Sequence, residues 1–512
     1  MGVMLWPSVL MLSPLVGILV LALLPKTQHR ALRWTGFAAT LLPLAVALGM
    51  ASRFDAEAQA MQFAGSAPWF TIPLPGMMGG DGFVFRYTVG VDGLSMALIL
   101  LTVILCSVVA LGAIHLTERV KGFLLLLLLL ETALLGTFVS LNLLQFFLFF
   151  ELVIVAMYFL ISQFGFVERE RAGLVFLLYN GIGSLVLLLA LLTMMAVTGT
   201  LDWHELQEQL HRWAAGGDFA AMTGLSESFR WGLLLAVLAA FVIKLPVVPL
   251  HSWMIRVNRQ AHPLVVMLES GLVLKLGGYG MLRLGFGLFP DLMMQLGTVL
   301  AVLGLVNLFY GGFAALVQQD LRSVLAYASV SHMGIVLLGM AAMNASGLQG
   351  VIFQMVSHGL LSPLLFYILL VILVRTGTDR LSDLSGLIRV MPVLSGLFLA
   401  GAMGYLGLPL MSGFVSEFLA FHGLFQRLPG FAAVGVLGMV LTAAYMLRAM
   451  QGMTFGPTVP QLETGDMRDV RAAESVPAMT LLALVFVIGI VPSLLGDPLQ
   501  STLQTILLRL GG

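Results

Sequence analysis

Charge is what this sequence lacks most. Only 10% of its 512 residues are charged, 59% are hydrophobic, and the mean hydropathy is +1.02. Soluble domains carry about 25% charged residues, so that class is excluded and the chain reads as a polytopic membrane protein. The formal net charge is zero, which gives no footing for nucleic acid or an acidic partner surface. Cysteine is nearly absent. The single Cys106, inside an apolar run, excludes a disulfide framework and any multi-thiolate iron–sulfur site, and reads as packing. The first residues lack the basic region and small-residue cleavage site of a secretory signal, and so predict a retained first helix.

Lysine is the other scarcity. Four lysines stand among 25 basic residues, the other 21 being arginine, and two of the four, Lys244 and Lys275, fall mid-span. Arginine effectively never gives up its proton, whereas lysine can. The cation used inside the membrane is therefore the one able to release a proton. Arginine-rich usage also fits a GC-rich bacterial genome.

What is abundant is apolar runs of the roughly 20 residues that a membrane span requires. Fourteen spans are predicted: 3–24, 31–51, 92–114, 121–140, 143–164, 171–198, 231–250, 262–284, 291–312, 323–343, 348–374, 391–427, 431–452 and 474–495. The polar stretches are 52–91, 199–230 and 455–475. The twelfth span is too long for one regular helix, and Gly404, Gly407, Pro409 and Gly413 predict a break within it. An amphipathic tail, 497–510, reads as interfacial. Sixteen basic residues fall in loops after odd-numbered spans and seven on the opposite side. The positive-inside rule then places both termini outside the cytoplasm.

Small residues repeat. Gly181, Ser184 and Thr198-Gly199-Thr200 match Gly359, Ser362 and Thr376-Gly377-Thr378 at a shift of 178, and Leu245-Pro246 matches Leu408-Pro409. The matched spans are five apart, an odd number, so the copies cross the membrane in opposite senses. Inverted-repeat transporters place their sites at mid-membrane on broken helices.

Ionisable residues inside the spans are the candidate site. In FVIKLPVVPLHSW, residues 241–253, Lys244 sits where a lysine costs at least ~2.5–3.5 kcal/mol and so marks an ion or proton path. Pro246 and Pro249 lack amide protons and leave carbonyls free beside it. Glu151 is the only charge in its run, and a lone carboxylate in hydrocarbon is costly. A lysine of the seventh span is its natural partner. A static ion pair fixing helix packing is the competing reading, although burying a charge pair is a poor route to stability.

Lys275 lies among Gly277, Gly278 and Gly280, which let backbones or water approach. His332 and His358 fall in neighbouring polar turns and read as a relay. A haem-binding histidine pair would leave the lysines and glutamates unexplained. Glu417 follows the second break. Glu131 is open both to an access role and to packing. Asp92, Glu269 and His251 lie near span ends, where water reaches, with an access role for His251 as its alternative.

The motifs VGVDGLS (89–95), FFELVIVAMYFLI around Glu151, FVIKLPVVPLHSWM (241–254), SGLVLKLGGYGMLR (270–283) and GFVSEFLAFHG (413–423) together resemble one family over essentially the full length. It is that of the antiporter-like subunits of respiratory complex I, shared with multisubunit cation/proton antiporters and membrane-bound hydrogenases. A glutamate at 417, where other members have lysine, is similar to the M type, the counterpart of mitochondrial subunit 4. The short tail departs from the L type, which carries a long lateral helix.

The resemblance implies fourteen helices with two inverted five-helix repeats. The divisions are 1–114 (helices 1–3 and an extracytoplasmic loop), 115–284 (first repeat), 285–452 (second repeat) and 453–512 (cytoplasmic loop, last helix and tail). It implies that Glu151 pairs with Lys244, and that Lys275, His332, His358 and Glu417 continue a hydrated polar axis. It also implies a multi-pass subunit of the bacterial inner membrane, flanked by other antiporter-like subunits. FMN, iron–sulfur clusters and quinone are expected in partner subunits, since no motif here binds them. The expected function is a proton-translocating membrane-arm subunit, and the rival expectations are a subunit of a multisubunit sodium/proton antiporter or of a membrane-bound hydrogenase, and a passive scaffold.

Overall fold

A computed structural model of the chain describes residues 5–72, 83–214, 226–460, 462 and 467–511. The start of the span at 3–24 and parts of the polar stretches 52–91, 199–230 and 455–475 lie outside the described residues. The order is α1 (Leu5–Leu23), α2 (His29–Ala51), β1 (Gln62–Ile72), β2 (Phe83–Val91), α3 (Gly93–Gly112), α4 (Val120–Val139), α5 (Leu143–Gln163), α6 (Arg169–Thr198), α7 (Trp203–Ala214), α8 (Glu227–Lys244) and α9 (Ser252–Gln260). It continues with α10 (Pro263–Phe286), α11 (Pro290–Gln295), α12 (Gly297–Leu316), α13 (Leu321–Ala341), α14 (Ala345–Thr376), α15 (Pro392–Tyr405), α16 (Ser412–Arg427), α17 (Pro429–Thr454), α18 (Ala472–Ile490) and α19 (Ser493–Arg509).

The architecture is helical and polytopic. Twelve helices among the described residues are long and apolar enough to cross a membrane, or thirteen if Leu381–Val390 and α15, bent by 117°, form one span. Two of the fourteen expected spans are not whole helices. The stretch 231–250 ends as a helix at Lys244, and 391–427 is broken between Tyr405 and Ser412. The loop after α2 holds a feature that the sequence reading did not anticipate, an antiparallel hairpin pairing Ser66 with Thr88 and Thr71 with Val84. It delivers the chain to Asp92, whose carboxylate accepts from the Ser95 amide at 2.9 Å and caps α3.

Burial sorts the helices. α10 is wholly enclosed, and α13 and α14 are almost wholly so, whereas α1, α2 and α18 keep most of their surface outside. On α6 the exposed residues Leu174, Leu178, Ile182, Leu185 and Leu189 follow helical spacing, the stripe expected of a lipid-facing side. The tail helix α19 docks on the bundle instead of standing free: Leu499 and Leu503 are buried, and Thr502 Oγ1 accepts from the Gly93 amide at 3.0 Å.

Several residues matched in the sequence share local structure. Leu143 N donates to Leu201 O and Leu321 N to Asp379 O, both at 2.8 Å and 178 residues apart. α6 and α14 both end on a left-handed glycine, Gly199 at φ 72° and Gly377 at φ 71°. Thr198 and Thr376 each bond back to the carbonyl four residues earlier, at 2.7 and 2.9 Å. At the breaks, the hydrogen bonds correct the match made from sequence. Leu245 N→Phe241 O, Val247 N→Val242 O and Leu250 N→Val247 O recur as Leu406 N→Ala402 O, Leu408 N→Met403 O and Met411 N→Leu408 O. Leu245 therefore corresponds to Leu406, not to Leu408, and Lys244 corresponds to Tyr405.

The glycines after Lys275 allow the first break to sit against α10. A Cβ on Gly277 would lie 2.6 Å from the Leu245 backbone nitrogen, and one on Gly280 only 2.1 Å from the Phe241 ring. Overpacking of this kind costs typically ~1–3 kcal/mol. Gly280→Val should accordingly lower the thermal midpoint of the assembled, purified complex, and an unchanged midpoint would show that α8 and α10 are not in close contact.

Candidate functional site

α8 runs apolar up to Lys244 and stops there, because the following turn at Leu245–Leu250 carries Pro246 and Pro249. The lysine is thus held at a helix C-terminus, where a cation is favoured by the helix dipole. It is buried, and its Nζ has no hydrogen-bond partner. It lies instead over the Phe150 ring, 4.0 Å from the centroid, a contact worth ~2 kcal/mol when desolvated. Glu151, the next residue, does not form the expected ion pair: no Lys244–Glu151 contact within 4 Å exists, and Glu151 Oε1 is buried without a partner. Phe150 takes the near position, and the carboxylate acts on Lys244 through its field alone.

Lys275 is wholly buried in α10, between π-helical stretches at Glu269–Val273 and Met281–Phe286. Its ammonium bends back along the helix, donating to the Ser270 carbonyl and, at 2.7 Å, to His358 Nδ1 on α14. The His358 ring is 5.8 Å from the ring of His332 on α13. Tyr405, the last residue of α15, lies against both, 4.6 Å from His332 and 5.9 Å from His358. Beyond the histidines, Gln354 Nε2 donates to His332 Nδ1 at 3.0 Å, and Gln354 Oε1 accepts from Ser416 Oγ at 2.5 Å. Ser416 adjoins Glu417 on α16. The Glu417 carboxylate is folded against the second break, so that a Cβ on Gly407 would strike its Oε2.

The structure therefore brings Lys275, His358 and His332 together on one line of contacts, which Gln354 extends to Ser416, the residue before Glu417. Sequence reasoning missed three links in it, Gln354, Ser416 and Tyr405. None is charged, and only Gln354, one turn before His358, carried a signal of position that could have marked it. Lys244 and Glu151 stand beside this line, joined to it by packing of the first break on Gly277.

The other named residues fall elsewhere. Glu131 is wholly buried on α4 with neither oxygen partnered, and no hydrogen bond or ion pair joins it to the line. Asp92 is not solvated as its position near a span end suggested: it forms a buried two-pronged ion pair with Arg283, at 2.7 and 2.8 Å. His251 packs edge-on against Tyr310 at 4.9 Å. Glu269, also expected near water, is wholly buried, with both oxygens unpartnered. Enclosure of α10 along its whole length removes the water that its place in the span implied. Among the described residues no group of three His, Cys, Asp or Glu could hold a metal ion.

These features have a counterpart in known proteins. Residues 140–442 match the family described as NADH:quinone oxidoreductase/Mrp antiporter, TM. The chain belongs to this family. A relative, NADH-quinone oxidoreductase subunit M of Rhodobacter capsulatus, is 33% identical over 497 residues, covering 96% of this chain and 94% of its own. Among solved structures, a chain of respiratory complex I from Thermus thermophilus with bound NADH superposes with a TM-score of 0.84 at 28% identity, covering 99% of this chain and 100% of the other. A chain of the Mrp complex from Dietzia shares the fold, with a TM-score of 0.79 at 24% identity, over 98% and 99% of the two chains. Family members of both kinds thus share this fold, and the matched segment holds every residue of the line from Lys275 to Glu417.

Gln354 gives the most selective test of that line, because it joins the histidines to Ser416 without carrying charge. Gln354→Leu keeps the bulk and removes both bonds. Losing ~1.4 kcal/mol at a transfer step slows it roughly tenfold. Proton movement by vesicles holding the assembled complex should fall by about that factor, and an unchanged rate would remove Gln354 from the path.

Proposed function

We propose that this chain is a proton-translocating membrane-arm subunit of NADH:quinone oxidoreductase. The observation carrying the proposal is the run of buried polar groups from Lys275 through His358, His332, Gln354 and Ser416 to Glu417, joined by hydrogen bonds at Lys275–His358, His332–Gln354 and Gln354–Ser416 and by ring packing between the histidines. In this reading Glu151, Lys244, Lys275, His332, His358 and Glu417 hold or pass the proton, and Gln354 and Ser416 link them. Glu131 lies off this line and takes no part in it. The close sequence similarity to a protein named subunit M supports the complex I reading over a sodium/proton antiporter subunit, for which the shared fold is the support.

The mechanism follows from what each group can do. Lys244 can release a proton, unlike arginine, and its charge is held by the helix C-terminus, the Phe150 ring and the field of Glu151, with no hydrogen bond. Moving or neutralising the Glu151 charge weakens that hold. No side chain hydrogen-bonds Lys244 to Lys275, so we assign the gate to this step, across the contact of Leu245 with Gly277. From Lys275 the proton passes to His358 Nδ1, then by way of His332, Gln354 and Ser416 toward Glu417, the terminal acceptor beside the next antiporter-like subunit.

Energy comes from partner subunits, which hold FMN, iron–sulfur clusters and quinone. We further propose that helices 115–284 and 285–452 form two inverted five-helix repeats, which the matched bonds 178 residues apart support. The chain would sit in the bacterial inner membrane with both termini extracytoplasmic.

The test uses the intact complex. It should oxidise NADH and move protons, and Lys244→Ala and Lys244→Arg should both lose proton movement while the complex still assembles. Full pumping in Lys244→Arg would refute proton release at this site. A cofactor-free complex exchanging sodium for protons would establish the antiporter reading instead.

A further inference from the structure

Glu269 is a second buried carboxyl group beside a buried lysine, and nothing in the path described so far uses it. It is wholly enclosed in α10, and neither of its oxygens has a hydrogen-bond partner. It opens the π-helical stretch Glu269–Val273, a distortion of helix frequently found at functional sites. Its neighbour Ser270 is the residue that holds Lys275: the Ser270 carbonyl accepts the Lys275 ammonium, and the Ser270 hydroxyl accepts from Ser362 of α14 at 2.9 Å. Glu269 and Lys275 stand six residues apart on the same enclosed helix, within reach of each other's field but without a hydrogen bond between them.

A carboxyl group in this position adds no hydrogen bond to the fold, and burying it unpartnered is unfavourable. What it can do is hold a proton. We infer that Glu269 is the proton-exchanging partner of Lys275, so that the axis carries one carboxyl group for each of its lysines. This deepens the proton-translocation reading and rests on it.

The exchange balances without any further reactant. With Glu269 ionised and Lys275 an ammonium, one N–H bond of Lys275 breaks, an O–H bond forms on Glu269, and both groups become neutral. The reverse transfer restores the two charges, and because no hydrogen bond joins the side chains, the exchange takes the lysine off the Ser270 carbonyl toward Glu269. An ionised Glu269 favours the ammonium at Ser270; when a proton arriving along the axis neutralises Glu269 while Lys275 is an ammonium, that ammonium can hand a proton to His358 Nδ1, 2.7 Å away, and take the one on Glu269 in its place. Glu269 then does for Lys275 what Glu151 does for Lys244. It does so from the same helix, one residue from the carbonyl to which the lysine is bound.

The experiment compares Glu269→Gln, Glu269→Asp and Lys275→Met in the complete complex, in vesicles oxidising NADH. Glu269→Gln keeps shape and removes the exchangeable proton. It should lower the pumping rate per assembled complex on the order of 100-fold, the lower end of what a positioned proton donor or acceptor contributes. Glu269→Asp should restore a substantial part of that loss. Infrared difference spectra of the wild-type complex, taken during turnover, should contain a carboxylic C=O band that is lost in Glu269→Gln, a signal that a purely structural residue would not give. Wild-type pumping in Glu269→Gln together with loss in Lys275→Met overturns the role of Glu269 alone, whereas wild-type pumping in both overturns the axis itself. If Glu269→Gln does not assemble, the spectra of the wild type and of Glu269→Asp decide: a carboxyl band that shifts with the substitution upholds the inference, and one that stays unmoved overturns it.

Discussion

A group that must gain and lose a proton inside a membrane cannot face lipid, and the whole arrangement follows from that constraint. A charged side chain exposed to hydrocarbon costs several kcal/mol, so the chain provides helices that never meet lipid. α10, α13 and α14 are enclosed by the others, and they carry Lys275, His332 and His358. The outer helices α1, α2, α6 and α18 contribute little but apolar surface. Enclosure also explains the small residues along α10: a helix wrapped on all sides has to let its neighbours come close, as Leu245 and Phe241 do at Gly277 and Gly280.

The broken helices solve the matching problem of placing polar groups at mid-membrane. Each break frees backbone groups that have to be satisfied within the protein, and both do so with the same set of hydrogen bonds, 161 residues apart. That register puts Tyr405 where the first break has Lys244. The two halves are thus built alike and equipped differently. One ends its helix on a cation held over an aromatic ring, and the other on a tyrosine set against two histidines. Glu417 belongs to the helix after the second break, and the same register sets Arg256, not a carboxyl group, in its place after the first, which gives the path distinct ends.

Much of this was legible beforehand, and the parts that were not have physical reasons. A lone charge in a long apolar run is a loud signal, so Glu151, Lys244, Lys275, Glu131 and Glu417 could be picked out directly. Distances between helices leave no such trace. Glu151 reaches Lys244 through its field and not by contact, while the Phe150 ring holds the near position, and an aromatic residue in an apolar run carries no mark of its own. Gln354 and Ser416 are ordinary polar residues that acquire meaning only when α13, α14 and α16 meet. Glu269 and Asp92 were placed near water because position along a span was the only guide. One is enclosed by neighbouring helices and the other is neutralised by Arg283. The hairpin strand FVFRYTVGV at 83–91 did show alternation, but a search for long apolar runs passes over it.

The central claim is that protons cross the enclosed helices and reach Glu417. Its most direct measurement is the rate of proton movement by vesicles containing the assembled complex with Glu417→Gln, in which the far end of the axis keeps its shape but cannot ionise. The account predicts that proton movement per complex collapses while the complex remains assembled. Proton movement at the wild-type rate would contradict it.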